Sequence, residues 1–319
     1  MVNNIQCKIC DNGENNENLK IKEVYFSGTG KLFNYLECGR CGCLQLLDEN
    51  IDLSSYYDNE TYGAFQKAKK SGIKHYLTTL RNKSAILGKG GFLRYLLSKT
   101  TPLPIWMRIV KDYSNADSKI LDVGCGAGAY LDVLHDIGYK NVSGIDPFID
   151  EDTVHSNGVK INKRYLTQVN ELFDVILSHH SFEHVPDPLE TLIATKNCLS
   201  PNGVAIITIP VAGDLYRQYK ENCYAIQTPQ HYFLHTTRSM EILAERSGLV
   251  LERIQQDAIN TSSWYKYSEL FSRGMTKNEI TKDIDSYFSD TERKKFNIIE
   301  RQLISQNKGD NVTFIFRKA

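Results

Sequence analysis

No stretch of this 319-residue chain stays apolar for anything near the ~18 residues that a membrane-spanning helix needs. The opening Met1-Val2-Asn3-Asn4 lacks the basic and apolar regions of a secretory signal. An excess of one charge is missing too, since 38 Lys and Arg balance 38 Asp and Glu. Internal repeats and low-complexity tracts are also absent. These absences lead to the expectation of a cytoplasmic chain with no transmembrane segment. Eight cysteines without a secretory signal favour metal ligands or free thiols over disulfides. With 41% apolar and 24% charged residues, the composition is that of an ordinary globular protein. The length suffices for one large domain and a small one. Nothing in the sequence sets an oligomeric state.

What is present is concentrated in a few places. Residues 119–129 read as a short buried strand (Ile120, Leu121, Val123) running into a turn with Gly124, Gly126 and Gly128, and a helical pattern follows from Tyr130 to Ile137. Strand, glycine turn and helix open a nucleotide-binding α/β fold, because glycines let the backbone approach a ligand beside a helix N-terminus. The Gly-Lys-Ser/Thr ending of a phosphate loop is missing. The even glycine spacing also departs from the dinucleotide fingerprint.

Asp122 followed by Gly124, Gly126 and Gly128 resembles motif I of the class I S-adenosylmethionine (SAM) methyltransferases. Three further elements, in matching order, carry the resemblance. Val142 to Asp146 is a second strand, ending in an acid 24 residues after Asp122. Phe173 to Ser178 is a buried strand running into His179-His180-Ser181-Phe182-Glu183-His184-Val185-Pro186-Asp187-Pro188. A helix from Leu189 to Leu199, a turn at Ser200 to Gly203 and a strand from Val204 to Ile209 come next. The resemblance implies a Rossmann-like α/β fold with a mostly parallel seven-stranded sheet and an antiparallel last strand, here Gly309 to Arg317. It implies SAM as cofactor, held by Asp122, Gly124, Gly126, Gly128, Asp146 and His179. Asp146 would accept from the ribose hydroxyls.

Ahead of this core, Cys7-x-x-Cys10 and Cys38-x-x-Cys41 form paired knuckles separated by 27 residues. Four thiolates at tetrahedral reach suit zinc, and a fully thiolate-ligated ion is structural because no position stays open for substrate. A hairpin around Gly28 and Gly30 fills the gap, and Cys43 is read as a spectator. The knuckles and the Tyr-rich stretch from Tyr56 to Tyr62 resemble a bacterial subgroup of these methyltransferases that tailors deoxysugars, surface polysaccharides and natural products. The chain thus divides into a zinc-binding module (1–50), a basic helical linker or lid (51–112) and a methyltransferase domain (113–319). Segments 210–238 and 258–310 interrupt the domain as helical insertions and are read as a substrate lid.

Methyl transfer to a hydroxyl or an acidic C–H also needs a proton removed, and histidine is suited to that near neutral pH. The candidates are His231, His180 and His184. In the related sugar C-methyltransferases, the segment matching Thr228 to His231 reads Tyr-His-Glu-His and its last His is the base. Here the Tyr and Glu are lost, which tilts the expectation from C- to O-methylation. Residues 1–50 hold five basic and seven acidic residues, whereas 64–112 hold eleven basic residues and one acid, Asp112. The basic block is either a solvated helical face or a contact for phosphate-bearing partners. The leading expectation is O-methylation of a small-molecule or glycan acceptor. An RNA methyltransferase, a sugar C-methyltransferase and a catalytically silent binding subunit are the alternatives. Zero net charge and the acidic module set nucleic acid aside as a partner at this stage.

Overall fold

The computed structural model describes residues 5–26, 28–52, 56, 73–87, 103–258 and 261–318. The Tyr-rich stretch beyond Tyr56 and residues 64–72 and 88–102 of the basic segment, with the interruption at Gly88 to Gly91, lie outside the described residues.

The N-terminal part contributes β1 (Glu17–Lys22), β2 (Leu32–Glu37) and β3 (Leu44–Leu46). After α1 (Ile73–Leu87) and α2 (Ile105–Tyr113) the regular alternation begins: β4 (Lys119–Val123), α3 (Ala129–Ile137), β5 (Asn141–Ile145), β6 (Thr153–Val154), β7 (Lys160–Asn162) and β8 (Phe173–His179). Then come α4 (Pro188–Cys198), β9 (Leu199–Pro210), α5 (Asp214–Tyr219), β10 (Phe233–Leu234), α6 (Thr237–Ser247) and β11 (Leu249–Asp257). The chain ends with α7 (Thr261–Ser272), α8 (Asp290–Ser305) and β12 (Asn311–Lys318).

The main sheet has the order β11-β12-β9-β8-β4-β5-β7-β6. β5, β4, β8 and β9 run parallel, and β12 is antiparallel to both β9 and β11. The sheet is eight-stranded rather than seven-stranded. The extra strand is β6, two residues that fold back antiparallel on β7 through a turn closed by the bond from the Gly158 N–H to the His155 carbonyl. A pair so short leaves no hydrophobic period to read. The expected turn at Ser200 to Gly203 is a bulge inside β9, since Phe173 pairs with Leu199 while Val175 pairs with Val204.

Alternation along the central strands splits the core into two layers. Ile120, Val175, Val204 and Ile206 pack with Met107, Leu131 and Leu134 of α2 and α3. Leu121, Ile176, Ala205 and Ile207 pack on the other face with Leu192, Met240 and Leu243 of α4 and α6. Two sides of burial explain why these strands read as unbroken apolar runs. Asp187 starts α4 as a side-chain cap on the Glu190 N–H, with Pro188 at its first position.

The small sheet has the order β1-β2-β3-β10, all antiparallel. Its fourth strand thus comes from the segment after β9. Ile21, Phe33 and Tyr35 share a further core with Leu215, Tyr265, Phe271 and Phe296, so both insertions pack on the N-terminal strands. No helix among the described residues is long and apolar enough to cross a membrane.

Candidate active site

The C-terminal ends of β4, β5 and β8 surround a cavity of about 760 Å³. The glycine turn after β4 forms one wall. Gly124, Gly126 and Gly128 all have positive φ, at 72°, 52° and 74°. At Gly124 a Cβ would come within 2.4 Å of the Ser181 Cβ, so no side chain fits there. Ser181 bolts the end of β8 to this turn, its hydroxyl donating to the Val123 carbonyl at 2.7 Å. Asp146 fixes the other side of the turn. Its Oδ2 accepts from the Gly126 N–H and its Oδ1 from the Phe148 N–H, both at 2.9 Å.

Asp122 and Asp146 both line the cavity and are 2% and 5% exposed. Burial, reinforced by the charge of Asp146, pushes the Asp122 carboxyl up to about 8. Burial raises Asp146 too, against its two backbone hydrogen bonds. A site that stores two buried carboxylates favours a cationic ligand, which would relieve their mutual repulsion. Tyr130, at the start of α3, lies with its ring 4.5 Å from that of His179 and tilted to it by 35°, and burial holds His179 down to about 3 and therefore neutral. Arg164, Tyr165 and Phe148 complete the far wall.

The structure brings His179, His180 and His184 to the cavity wall. His231 lies behind His184, its ring edge-on at 4.7 Å, and is 3% exposed. Its Nδ1 is 2.8 Å from the Ala225 carbonyl, and burial holds it down to about 3. His184 Nδ1 is likewise 3.0 Å from the Gln230 carbonyl, and burial lowers it. Each carbonyl can only accept, so both Nδ1 atoms carry protons. Sequence reasoning missed Glu183, which sits among these imidazoles at 1% exposure. Its signal was the Glu-His pair itself, inside a segment read only as a signature. Tyr130, Ser181 and Arg164 were missed because their place depends on the packing of other strands.

Cys7, Cys10, Cys38 and Cys41 converge in the N-terminal part, all buried. Sγ separations are 3.7 Å for Cys7–Cys41 and 3.5 Å for Cys10–Cys38, far beyond a disulfide bond. Four thiolates bonded to one tetrahedral zinc would lie about 3.8 Å apart, so the cluster suits that ion. The N–H groups of Ile9, Arg40 and Cys41 point at the sulfurs of Cys7 and Cys38, as donors that offset thiolate charge. Cys43 is buried beside them, 3.9 Å from His235 Nδ1, and stands outside the cluster.

Residues 92–254, about half of the chain, match the family described as "Methyltransferase domain" (Methyltransf_23). A tRNA U34 carboxymethyltransferase from Pseudomonas fluorescens is 28% identical over 188 residues, covering 52% of this chain and 58% of that protein. A ubiquinone biosynthesis O-methyltransferase from Rickettsia canadensis is 34% identical over 163 residues, covering 48% of this chain and 60% of that protein. The chain therefore spans less than two thirds of these relatives. Among solved structures, a cyclopropane synthase from Mycobacterium tuberculosis aligns with 82% of this chain and 90% of its own, at 16% identity and a TM-score of 0.42. The tRNA relatives overturn one expectation, that nucleic acid can be set aside as a partner. The physical reason is that net charge averages over the whole molecule, whereas eleven of its basic residues fall within 64–112. With the family matched over residues 92–254 and the glycine turn inside that range, the chain belongs to the methyltransferase-domain family, and its core is a class I SAM-dependent domain.

Proposed function

We propose that the protein is a SAM-dependent methyltransferase that methylates a hydroxyl of a small-molecule or carbohydrate acceptor, in glycan or natural-product tailoring. The observation that carries this reading is one cavity lined by two sets of groups of different chemistry. Carboxylates and glycines (Asp122, Gly124, Gly126, Gly128 and Asp146) suit the cationic cofactor, and imidazoles (His180, His184) face the space beside it. The sulfonium supplies an activated methyl group. The protein then has to orient the acceptor, exclude water and take the hydroxyl proton. His180, with its side chain 38% exposed, is the imidazole best placed to receive that proton. His184 and His231 support it from behind. Cys7, Cys10, Cys38 and Cys41 hold a structural zinc.

Purified protein incubated with methyl-labelled SAM and a panel of sugar nucleotides, free glycans and small hydroxylated compounds should yield a labelled methyl ether. Label appearing in added tRNA instead would replace this reading with the RNA one, which the names of the tRNA relatives favour. Gly126→Val should abolish SAM binding in calorimetric titration while the fold persists. The valine meets both the positive φ at this position and the space that the cofactor needs.

A further inference from the structure

We infer that Glu183 is a positioning residue for His180, a buried carboxylate that fixes which imidazole nitrogen carries the proton and leaves the other turned to the acceptor. This inference deepens the proposed function and rests on the acceptor hydroxyl being deprotonated at His180.

The geometry is specific. Glu183 Oε1 lies 3.5 Å from His180 Nδ1, within ion-pair reach, and 4.0 Å from His231 Nε2. Glu183 Oε2 is buried with no hydrogen-bond partner among the described residues. A carboxylate this enclosed needs an N–H donor beside it, one that can become a cation when the ring takes a second proton. The imidazoles that face it differ in their ability to supply one. His184, His231 and His235 are buried and held down by that burial, His231 and His235 to about 3. His179, edge-on to His180 at 4.7 Å, is also held at about 3. Asp146 acts on this cluster through His184. His180 alone among these rings combines ion-pair distance to Glu183 with an open face on the cavity. Burial opposes ionisation of Glu183, but His180 and the rings behind it outweigh burial and hold the carboxyl at about 2.

The backbone supports the same assignment. His180 adopts φ +53°, a left-handed conformation that a histidine rarely takes, and its N–H donates to the Thr208 carbonyl at 2.8 Å. Such strain persists where the surroundings over-determine it, commonly at functional positions. In the transfer step the acceptor oxygen forms a bond to the methyl carbon as the carbon–sulfur bond breaks. The sulfonium leaves as a neutral thioether. The hydroxyl proton passes to His180 Nε2, and the imidazolium so formed keeps its Nδ1–H toward Glu183 until solvent removes the proton.

The test uses the full chain. The His180 ring nitrogens are read by NMR, with His180→Ala assigning their signals, in wild type and in Glu183→Gln. The expected result is a proton on Nδ1 of neutral wild-type His180 and a tautomer population displaced toward Nε2–H in the variant. With a working acceptor, turnover should fall roughly 10–100-fold, the usual effect of losing an orienting group, and SAM affinity should hold. Glu183→Asp should restore part of the Nδ1–H population. The same tautomer population in both proteins, or a wild-type proton on Nε2, would overturn the inference. So would a second metal ion per chain, beyond the cysteine site, that disappears in Glu183→Gln. The wild-type nitrogen signals decide the matter even where the Gln variant does not fold. They need no acceptor, so failure of the acceptor panel counts against the proposed function alone.

Discussion

Asp122 shows how function strains a single residue. It sits at the end of β4, 2% exposed, with Asp146 as its charged neighbour, and its carboxyl is pushed up to about 8. Its unfolded value is near 3.9. Between those values the folded chain keeps a proton that the unfolded chain has lost, so stability falls as pH rises through that window. Asp122→Asn removes the titration. Its stability relative to wild type should therefore grow from about pH 4 to about pH 8, while SAM affinity drops. Thermal melts across that range, paired with SAM titrations, check both halves. Parallel melting curves for the two proteins at every pH would contradict the raised carboxyl. A residue that costs stability without ligand and favours a cation is expected at a binding site, where stability and function compete.

At the scale of elements, the two parts of the chain differ in how much of them the sequence discloses. Motif I is local. Ile120 to Gly128 needs no distant partner to be read, because strand, turn and helix follow from apolar run, glycines and amphipathic spacing within a few residues. The same holds for Asp187 and Pro188 at the start of α4. β10 is the opposite case. Phe233 and Leu234 are two residues whose strand character comes only from pairing with Gln45 and Leu44. Glu183 is an intermediate case: His180 and His184 are its neighbours in the sequence, but its burial and its approach to His231 depend on the segment after β9. The knuckles were legible through spacing, yet not their attachment. Thr236 Oγ1 donates to the Cys41 carbonyl at 2.6 Å, and Arg246 donates to the Ile9 carbonyl at 2.6 Å. Cys38→Ser should therefore lose about one zinc per chain and loosen β10 and the start of α6 along with residues 5–50. SAM affinity should change much less. Metal analysis with hydrogen exchange at 228–247 reads the effect. Cys43→Ser should keep the metal, and loss of zinc there would make Cys43 a ligand.

Over the whole molecule, these attachments turn the N-terminal part into a brace for the side of the site proposed to take the acceptor. In the proposed reading, the cofactor side is built by β4, β5 and the glycine turn, whose strands belong to the main sheet, while β1, β2, β3 and β10 form the small one. The acceptor side hangs from 225–235, where carbonyls of Ala225 and Gln230 orient His231 and His184. Tyr35, in the middle of β2 and 1% exposed, reaches into that segment. Its hydroxyl donates to the His231 carbonyl at 3.0 Å and lies 2.9 Å from Thr228 Oγ1. Tyr35→Phe removes one oxygen and leaves that buried carbonyl without its donor, at a cost of about 1–3 kcal/mol. The expected pattern is asymmetric: a lower urea midpoint, faster exchange at 228–235, reduced turnover and an unchanged affinity for SAM. Equal losses of turnover and SAM affinity would mean that Tyr35 supports the fold as a whole. An enzyme indistinguishable from wild type would mean that the brace does not reach the site.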